Sequence, residues 1–210
     1  MRPSVVPVSP DLLAGRLAEM ITSCRPGHPV RVALDGAPST GAAELAAALA
    51  DLLAIAGRPP VVVDAAVFLR PASLRLERGR TDPDAYYEDW LDVSGLRREL
   101  LDPAGPGGSG QVVPSLRDPD TDRATRAPYL LLPDGAVVVV YGPLLLGRGL
   151  PFDLTVHLRQ SAAALARLMP AELRWTLPAF ARYDTTVEPA AIADAVVLLD
   201  DPRRPALLSR

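Results

Sequence analysis

Lysine and asparagine are absent from this sequence, and its 22 basic residues are all arginine. A GC-rich genome, which avoids codons that begin with two adenines, accounts for both absences. Chemistry that depends on a lysine amine is therefore excluded. Any positive side chain in a binding site has to be an arginine, whose planar guanidinium is not equivalent to an ammonium group.

The sequence also has little cysteine, no long apolar run and no large excess of either charge. Cys24 is the single cysteine, so there is no disulfide framework and no cysteine metal cluster. The longest apolar runs, such as Ala136–Tyr141, have the length of strands, and the opening "MRPSVVPVSP" lacks a basic-then-apolar leader. We therefore expect a cytoplasmic protein with no membrane partner. The net charge of −3, with both signs interspersed, indicates no nucleic-acid partner.

The apolar pattern favours one α/β domain over residues 1–210. Short apolar runs typical of buried strands alternate with helical patterns, which predicts a central parallel sheet of about five strands with helices on both faces. The predicted strands are Val30–Leu34 (in the middle of the sheet), Pro59–Asp64, Ala136–Gly142, Asp153–Leu158 and Asp194–Leu199. The predicted helices are Asp11–Cys24, Ala42–Gly57, Val93–Leu101, Ser161–Met169 and Glu172–Tyr183, the last interrupted near Pro178. Residues 1–28 contain a lead-in over Met1–Pro10 and the first helix.

Three segments follow predicted strands and define a candidate site. They are Asp35–Gly41, Asp64–Pro71 and Tyr141–Gly147. In a parallel sheet the carboxyl ends of the strands share one edge, and ligands bind there.

The first of these segments has the spacing of a phosphate-binding loop. In "DGAPSTGAAE" the glycines Gly36 and Gly41 match G-x-x-x-x-G-K-[ST], but Ala42 and Ala43 replace the lysine and the hydroxyl residue. The predicted phosphate loop comprises Gly36, Ser39, Thr40, Gly41, Ala42 and Ala43. Pro38 removes one backbone N–H from the anion nest.

Six segments in the same order resemble the uridine kinase-like branch of the P-loop nucleoside kinases, over about Val30 to Pro205. They are "RVALDGAPSTG", "VFLRP", "GRTDPDAYYEDWLDVSGLRRELLDPAGPGG", "LRDPDTD", "VVVVYGPLLL" and "ADAVVLLDDPRRP". The resemblance implies a three-layer P-loop NTPase-like fold, with a substrate-side insertion at residues 70–134 and a lid-like region at 159–183. It also implies substrate contacts by Phe68, Arg70, Tyr86, Tyr87, Asp89 and Asp118.

The departures from the family pattern fall on the catalytic positions. Ala66 and Val67 occupy the place of the family's aspartate pair, so the expected base is missing, and Tyr141 replaces an acidic residue. Asp64, two positions earlier, is a candidate base if the register shifts; otherwise it is a solvated strand end. With the lysine, hydroxyl and base all missing, we expect weak binding of ATP and Mg²⁺ at best and no dedicated metal site.

Three functional hypotheses remain open at this stage. The first is a catalytically impaired homologue that binds a nucleoside-like small molecule or a protein. The second is an active phosphotransferase that uses non-standard residues, and the third is a structural or homo-oligomeric role. Tyr86 and Trp90, at i and i+4, either contact a ligand or pack a helix onto the core.

Overall fold

The structure is a computed structural model that describes residues 4–25 and 28–209. The strands in this part of the chain are β1 (Ser4–Pro7), β2 (Val30–Gly36), β3 (Pro60–Asp64), β4 (Gln111–Val112), β5 (Leu130–Leu131), β6 (Val137–Gly142), β7 (Leu154–Arg159), β8 (Ala195–Leu198) and β9 (Ala206–Ser209). Seven of them form one sheet in the order β1-β9-β8-β7-β2-β6-β3, and β4 pairs with β5.

The helices are α1 (Pro10–Ser23), α2 (Ala42–Ile55), α3 (Ala72–Arg75), α4 (Pro83–Glu88), α5 (Val93–Leu96), α6 (Ala162–Leu168), α7 (Leu177–Thr186) and α8 (Pro189–Ile192). Short 3₁₀ helices cover Pro38–Thr40, Ala65–Phe68 and Ala171–Thr176, and Arg97–Leu101 is a π-helical turn. Within the described ranges, no helix has both the length and the apolar character to cross a membrane.

The five predicted parallel strands are confirmed, with one correction at the edge of the sheet. The strands β3, β6, β2, β7 and β8 are all parallel, and β2 is the third of these five. However, Val30–Leu34 lies in the second strand of the chain, not the first. Part of the predicted lead-in forms β1, which pairs antiparallel with β9, and β9 extends the sheet beyond β8.

Buried side chains cover both faces of the sheet, which makes the fold three-layered. Along β6, Val137 and Val139 face the layer formed by α1 and α2, whereas Val138 and Val140 face the opposite core. All four valines are fully buried. A strand that is apolar at every position is typical of a sheet covered on both sides.

Two predicted helices differ in detail from the structure. The segment predicted as helical over Val93–Leu101 begins as α5 and continues as the π-helical turn. The predicted piece Glu172–Tyr183 is a 3₁₀ helix over Ala171–Thr176 followed by α7, so the interruption near Pro178 is a change of helix type. Pro178 itself lies in the first turn of α7, where the missing N–H of proline costs no hydrogen bond.

An ion pair anchors the amino-terminal end of the central strand. Nε of the buried Arg31 lies 2.8 Å from Asp153 Oδ2, and Arg25 Nη1 lies 2.9 Å from Asp153 Oδ1. Burial opposes ionisation of Asp153, but the hydrogen bonds from the two arginines outweigh it and lower the pKa of this carboxyl group.

Candidate functional site

The predicted phosphate loop joins the centre of the sheet to the start of α2. Gly36 ends β2, Gly41 adopts φ +72°, and α2 begins at Ala42. A Cβ on Gly36 would lie 2.7 Å from Thr40 Oγ1 and 2.8 Å from Leu158 Cβ, so a side chain does not fit there. Close side-chain packing at Gly36 and the left-handed backbone of Gly41 thus explain the two glycines without a bound phosphate.

The hydroxyl groups of the loop are bound within the protein. Ser39 donates to Gln160 Oε1 at 2.7 Å, and Thr40 donates to the Ala37 carbonyl at 2.7 Å. Thr40 is also buried. At the start of α2, the side chains that a nucleotide phosphate would contact are therefore the methyl groups of Ala42 and Ala43. The backbone would offer the N–H groups of the first helical turn, which have no acceptor within a helix.

A cleft of about 400 Å³ opens beside this loop. All three segments predicted at the carboxyl ends of the strands contribute to it, together with α4 and the residues that follow it. Its lining residues include Gly36, Pro38, Ala42, Ala43, Glu44, Asp64, Ala66, Tyr86, Trp90, Leu91, Tyr141, Leu144, Arg148 and Leu173. A cleft of this size and largely apolar lining is typical of a small-molecule site.

Acidic side chains lie on the phosphate-loop side of the cleft. Asp64 caps the 3₁₀ helix Ala65–Phe68 by accepting a hydrogen bond from Ala66 N at 2.8 Å, and it also lines the cleft. Burial raises the pKa of Tyr141, and the neighbouring carboxylates of Asp64 and Glu44 raise it further. This part of the cleft therefore disfavours an anion more than a standard phosphate loop does.

Arg148 is the cation that lines the cleft, and the sequence analysis missed it. Its Nε donates to the Leu144 carbonyl at 2.6 Å, its Nη2 donates to the Tyr87 carbonyl, and its guanidinium lies 5.5 Å from the centre of the Tyr87 ring. Burial lowers the pKa of Arg148. The signal in the sequence was Gly147-Arg148-Gly149, a charged residue between glycines just after a strand that ends at the predicted site.

An aromatic cluster forms another wall of the cleft. The ring of Tyr86 lies 5.0 Å from Trp90 and 5.5 Å from Trp175, and the two indoles lie 5.5 Å apart. Burial raises the pKa of Tyr86. The buried Nε1 of Trp90 has no hydrogen-bond partner in the described part of the chain. Tyr86 thus packs onto the core, and both Tyr86 and Trp90 line the cleft, so their contact with a ligand stays a prediction.

Several residues implied by the family resemblance lie outside the cleft lining. Phe68 is fully buried in the core. Arg70 pairs with Asp89 at 3.3 Å, and the Tyr87 hydroxyl lies 3.0 Å from Thr186 Oγ1. Asp118 accepts hydrogen bonds from the backbone of its own turn, and these lower its pKa.

A buried polar network beneath the loop was also missed. Asp35 is fully buried; its carboxylate lies 2.7 Å from His157 Nδ1, and it accepts hydrogen bonds from Tyr183 Oη at 3.1 Å and from Leu145 N at 2.8 Å. The hydroxyl of Tyr183 in turn accepts a hydrogen bond from Leu146 N at 2.9 Å. This network connects the start of the phosphate loop with α7 and with the segment that carries Arg148.

Among the proteins compared, only solved structures resemble this chain. No protein-family model matches the sequence, and no curated protein matches it. A possible uridine kinase from Bacillus stearothermophilus superposes with a TM-score of 0.70 at 21% identity, over 87% of this chain and 96% of that one. A candidate fructose transport system kinase from Silicibacter sp. TM1040 superposes with a TM-score of 0.61 at 25% identity, over 86% and 90% of the two chains. This chain therefore has the α/β fold of these two kinase structures, which is the fold that the resemblance of the sequence to the uridine kinase-like branch implied.

Proposed function

We propose that this protein binds a small nucleoside-like molecule in the cleft and does not transfer phosphoryl groups at a useful rate. The observation that carries the proposal is the composition of the cleft where it meets the loop. Ala42 and Ala43 occupy the motif positions of the lysine and the metal-binding hydroxyl that phosphoryl transfer needs, and Glu44, the next residue, also lines the cleft.

The expected decrease in turnover rate is large enough to favour an inactive protein over a slow kinase. Removing one preorganised donor that stabilises charge costs about 10²–10³ in rate. Removing the lysine, the hydroxyl and the expected base together costs about 10⁵ or more, although such effects are not additive. Since kinases turn over at about 1–100 per second, little useful activity would remain.

The residues present do not fit a magnesium–nucleotide complex. Ser39 and Thr40 use their hydroxyl groups within the protein, and Ala43 has none to offer. Backbone N–H groups at the start of α2 would attract a phosphate only weakly, since an exposed helix terminus contributes about 0.3–1 kcal/mol.

The other walls of the cleft support small-molecule binding. Tyr86 and Trp90 offer aromatic surface on which a base or another flat ring can pack. Asp64 offers carboxylate oxygens that can accept hydrogen bonds from ligand hydroxyl groups. These groups do not depend on the lost lysine, so binding can persist without catalysis.

An active phosphotransferase is the second candidate. The observation that favours it is that Asp64 and Arg148 both line the cleft, so a carboxylate and a cation are present in unusual positions. In that case Asp64 would replace the missing base and Arg148 would replace the missing lysine.

One pair of measurements separates these candidates. Binding of uridine and cytidine is followed by intrinsic fluorescence, since Trp90 lines the cleft and Trp175, the other tryptophan, lies 5.5 Å from its ring. Turnover is followed by ADP release in the presence of Mg²⁺-ATP and the same nucleosides. We expect saturable binding without nucleoside-dependent ADP release.

The variant Asp64→Asn is the control that identifies the base. Turnover near one per second that Asp64→Asn abolishes would establish the second candidate and reject our proposal. If no nucleoside binds and no ADP is released, the small-molecule proposal fails, and a structural or oligomeric role becomes the better hypothesis.

A further inference from the structure

We infer that the ligand of this cleft carries an anionic group and that the guanidinium of Arg148 binds that group. The inference rests on the proposed function, because it takes the cleft as the binding site, and it adds the chemical class of the ligand. It also assigns the anion to a position other than the phosphate loop.

The first argument is the lack of a counter-ion for Arg148. Of the buried arginines in the described residues, Arg31 and Arg75 each contact a carboxylate, at 2.8 Å (Asp153 Oδ2) and 3.1 Å (Asp122 Oδ1). Arg58 instead donates through Nε, Nη1 and Nη2 to three backbone carbonyls, so all three of its nitrogens have acceptors. Arg148 is half-buried and forms no ion pair among residues 4–25 and 28–209; the carboxylate that acts on it from a distance, Asp35, is already bound by Leu145 N, His157 Nδ1 and Tyr183 Oη. The acceptors of Arg148 are two backbone carbonyls. A buried cation is costly unless an anion or a full set of hydrogen-bond acceptors compensates it, and in the described residues Nη1 of Arg148 has no acceptor, unlike Nη1 of Arg58.

The second argument is the number of hydrogen-bond donors left over. A guanidinium has five N–H groups, and those of Arg148 that have an acceptor in the described residues are on Nε and Nη2. The remaining N–H groups belong to a side chain that lines the cleft. They form a planar donor set of the kind that binds carboxylate or phosphate oxygens, often through two parallel hydrogen bonds.

The third argument concerns the orientation of the ligand. Glu44 and Asp64 line the same cleft, and neither forms an ion pair with Arg148 in the described structure. Their charge repels an anion and favours hydroxyl or amino groups of the ligand. The expected ligand is therefore a small organic anion with a flat apolar body against Tyr86 and Trp90 and hydrogen-bond donors toward the phosphate-loop side.

A matched series of ligands tests the inference directly. Uridine, uridine 5′-monophosphate and uridine 5′-carboxylate share one scaffold and differ in the 5′ group, which is neutral, a phosphate or a carboxylate. We expect at least one anionic member to bind the wild-type protein about ten- to hundredfold more tightly than uridine, the range of a charge-assisted hydrogen bond. The better of the two anions then identifies the acidic group that the site prefers.

The variant Arg148→Gln, with a neighbouring arginine as control, assigns the preference to one residue. Arg148→Gln should reduce the preference for the anion to less than about threefold, since one or more charge-assisted bonds are lost. Arg182 stacks on the Tyr87 ring at 4.4 Å, as Arg148 does at 5.5 Å, but it pairs with Asp84 and Glu88 and does not line the cleft. Arg182→Gln should therefore leave the preference unchanged.

A second variant keeps the test decisive if Arg148→Gln does not fold. Arg148→Lys retains the positive charge but loses the planar donor set, so it should preserve part of the preference for the anion. Circular dichroism verifies that each variant has the wild-type fold before titration.

The possible outcomes separate the inference from the proposed function. If uridine binds as tightly as both anions, or if the preference persists in Arg148→Gln, the inference is wrong while small-molecule binding stands. If the anions bind through Arg148 and ADP is also released at a kinase rate, the inference stands and the proposed loss of catalysis is wrong. If none of the three compounds binds, both are wrong.

Discussion

Replacing Asp35 with alanine should be among the most destabilising single changes in this protein. The carboxylate of Asp35 is fully buried and is the common partner of His157 Nδ1 at 2.7 Å, Tyr183 Oη at 3.1 Å and Leu145 N at 2.8 Å. The alanine variant leaves all three groups without this partner. His157 and Tyr183 are themselves buried, so solvent does not readily replace the lost contacts.

The expected loss in the free energy of unfolding follows from these contacts. Removing one member of a buried charged network costs about 3–5 kcal/mol. The conservative variant Asp35→Asn keeps the volume and one acceptor oxygen, and it should cost about 1–3 kcal/mol, the range for hydrogen bonds to a charged group. Asp51→Ala is the control: Asp51 is exposed on α2, and its replacement should change stability by less than about 0.5 kcal/mol.

Urea denaturation followed by circular dichroism measures all three variants. The network also positions Leu145 and Leu146, which precede Arg148, so Asp35→Asn should weaken binding of anionic ligands more than binding of uridine. A loss of less than about 1 kcal/mol for Asp35→Ala would show that the network does not hold the three elements together, and the argument from burial would be refuted.

Three further predictions follow from the loop and from the anchor of the central strand. Gly36→Ala should destabilise the protein by about 1–3 kcal/mol, because its Cβ would lie 2.8 Å from Leu158 Cβ; a neutral effect in thermal unfolding would contradict the close packing of the loop. The double variant Ala42→Lys with Ala43→Thr should raise the affinity for Mg²⁺-ATP about tenfold or more in a calorimetric titration, whereas undetectable binding by a folded variant would show that the loop has lost its geometry. Because the folded-state pKa of Asp153 is lowered, its stabilisation is complete above the unfolded-state pKa of about 3.9 and is lost as the pH falls through the folded-state pKa. The stability difference between wild type and Asp153→Asn should thus be constant from about pH 7 to 5 and shrink below about pH 4, and a difference that grows on acidification would reverse the assignment.

The regular part of the fold was predictable because its signals are local. Each of the five parallel strands is a short and mainly apolar run, and such a run can be recognised without knowing which strands it pairs with. The spacing of Gly36 and Gly41 likewise indicated a strand, a tight turn and a helix, which the structure contains. The sequence alone also shows that alanine, at position 42, replaces the lysine of the phosphate-loop motif.

The edge strands and the charged groups of the site depended on the tertiary structure. Strand β1 has four residues and becomes a strand because β9, at the other end of the chain, pairs with it. Asp35 meets His157 and Tyr183 across separations of 122 and 148 residues, and no local periodicity relates them. Arg148 was one of 22 arginines until the fold brought it to the cleft without a carboxylate beside it. Residue types and local spacing are properties of the sequence, whereas the burial and the partners of a charge exist only after distant segments have packed together.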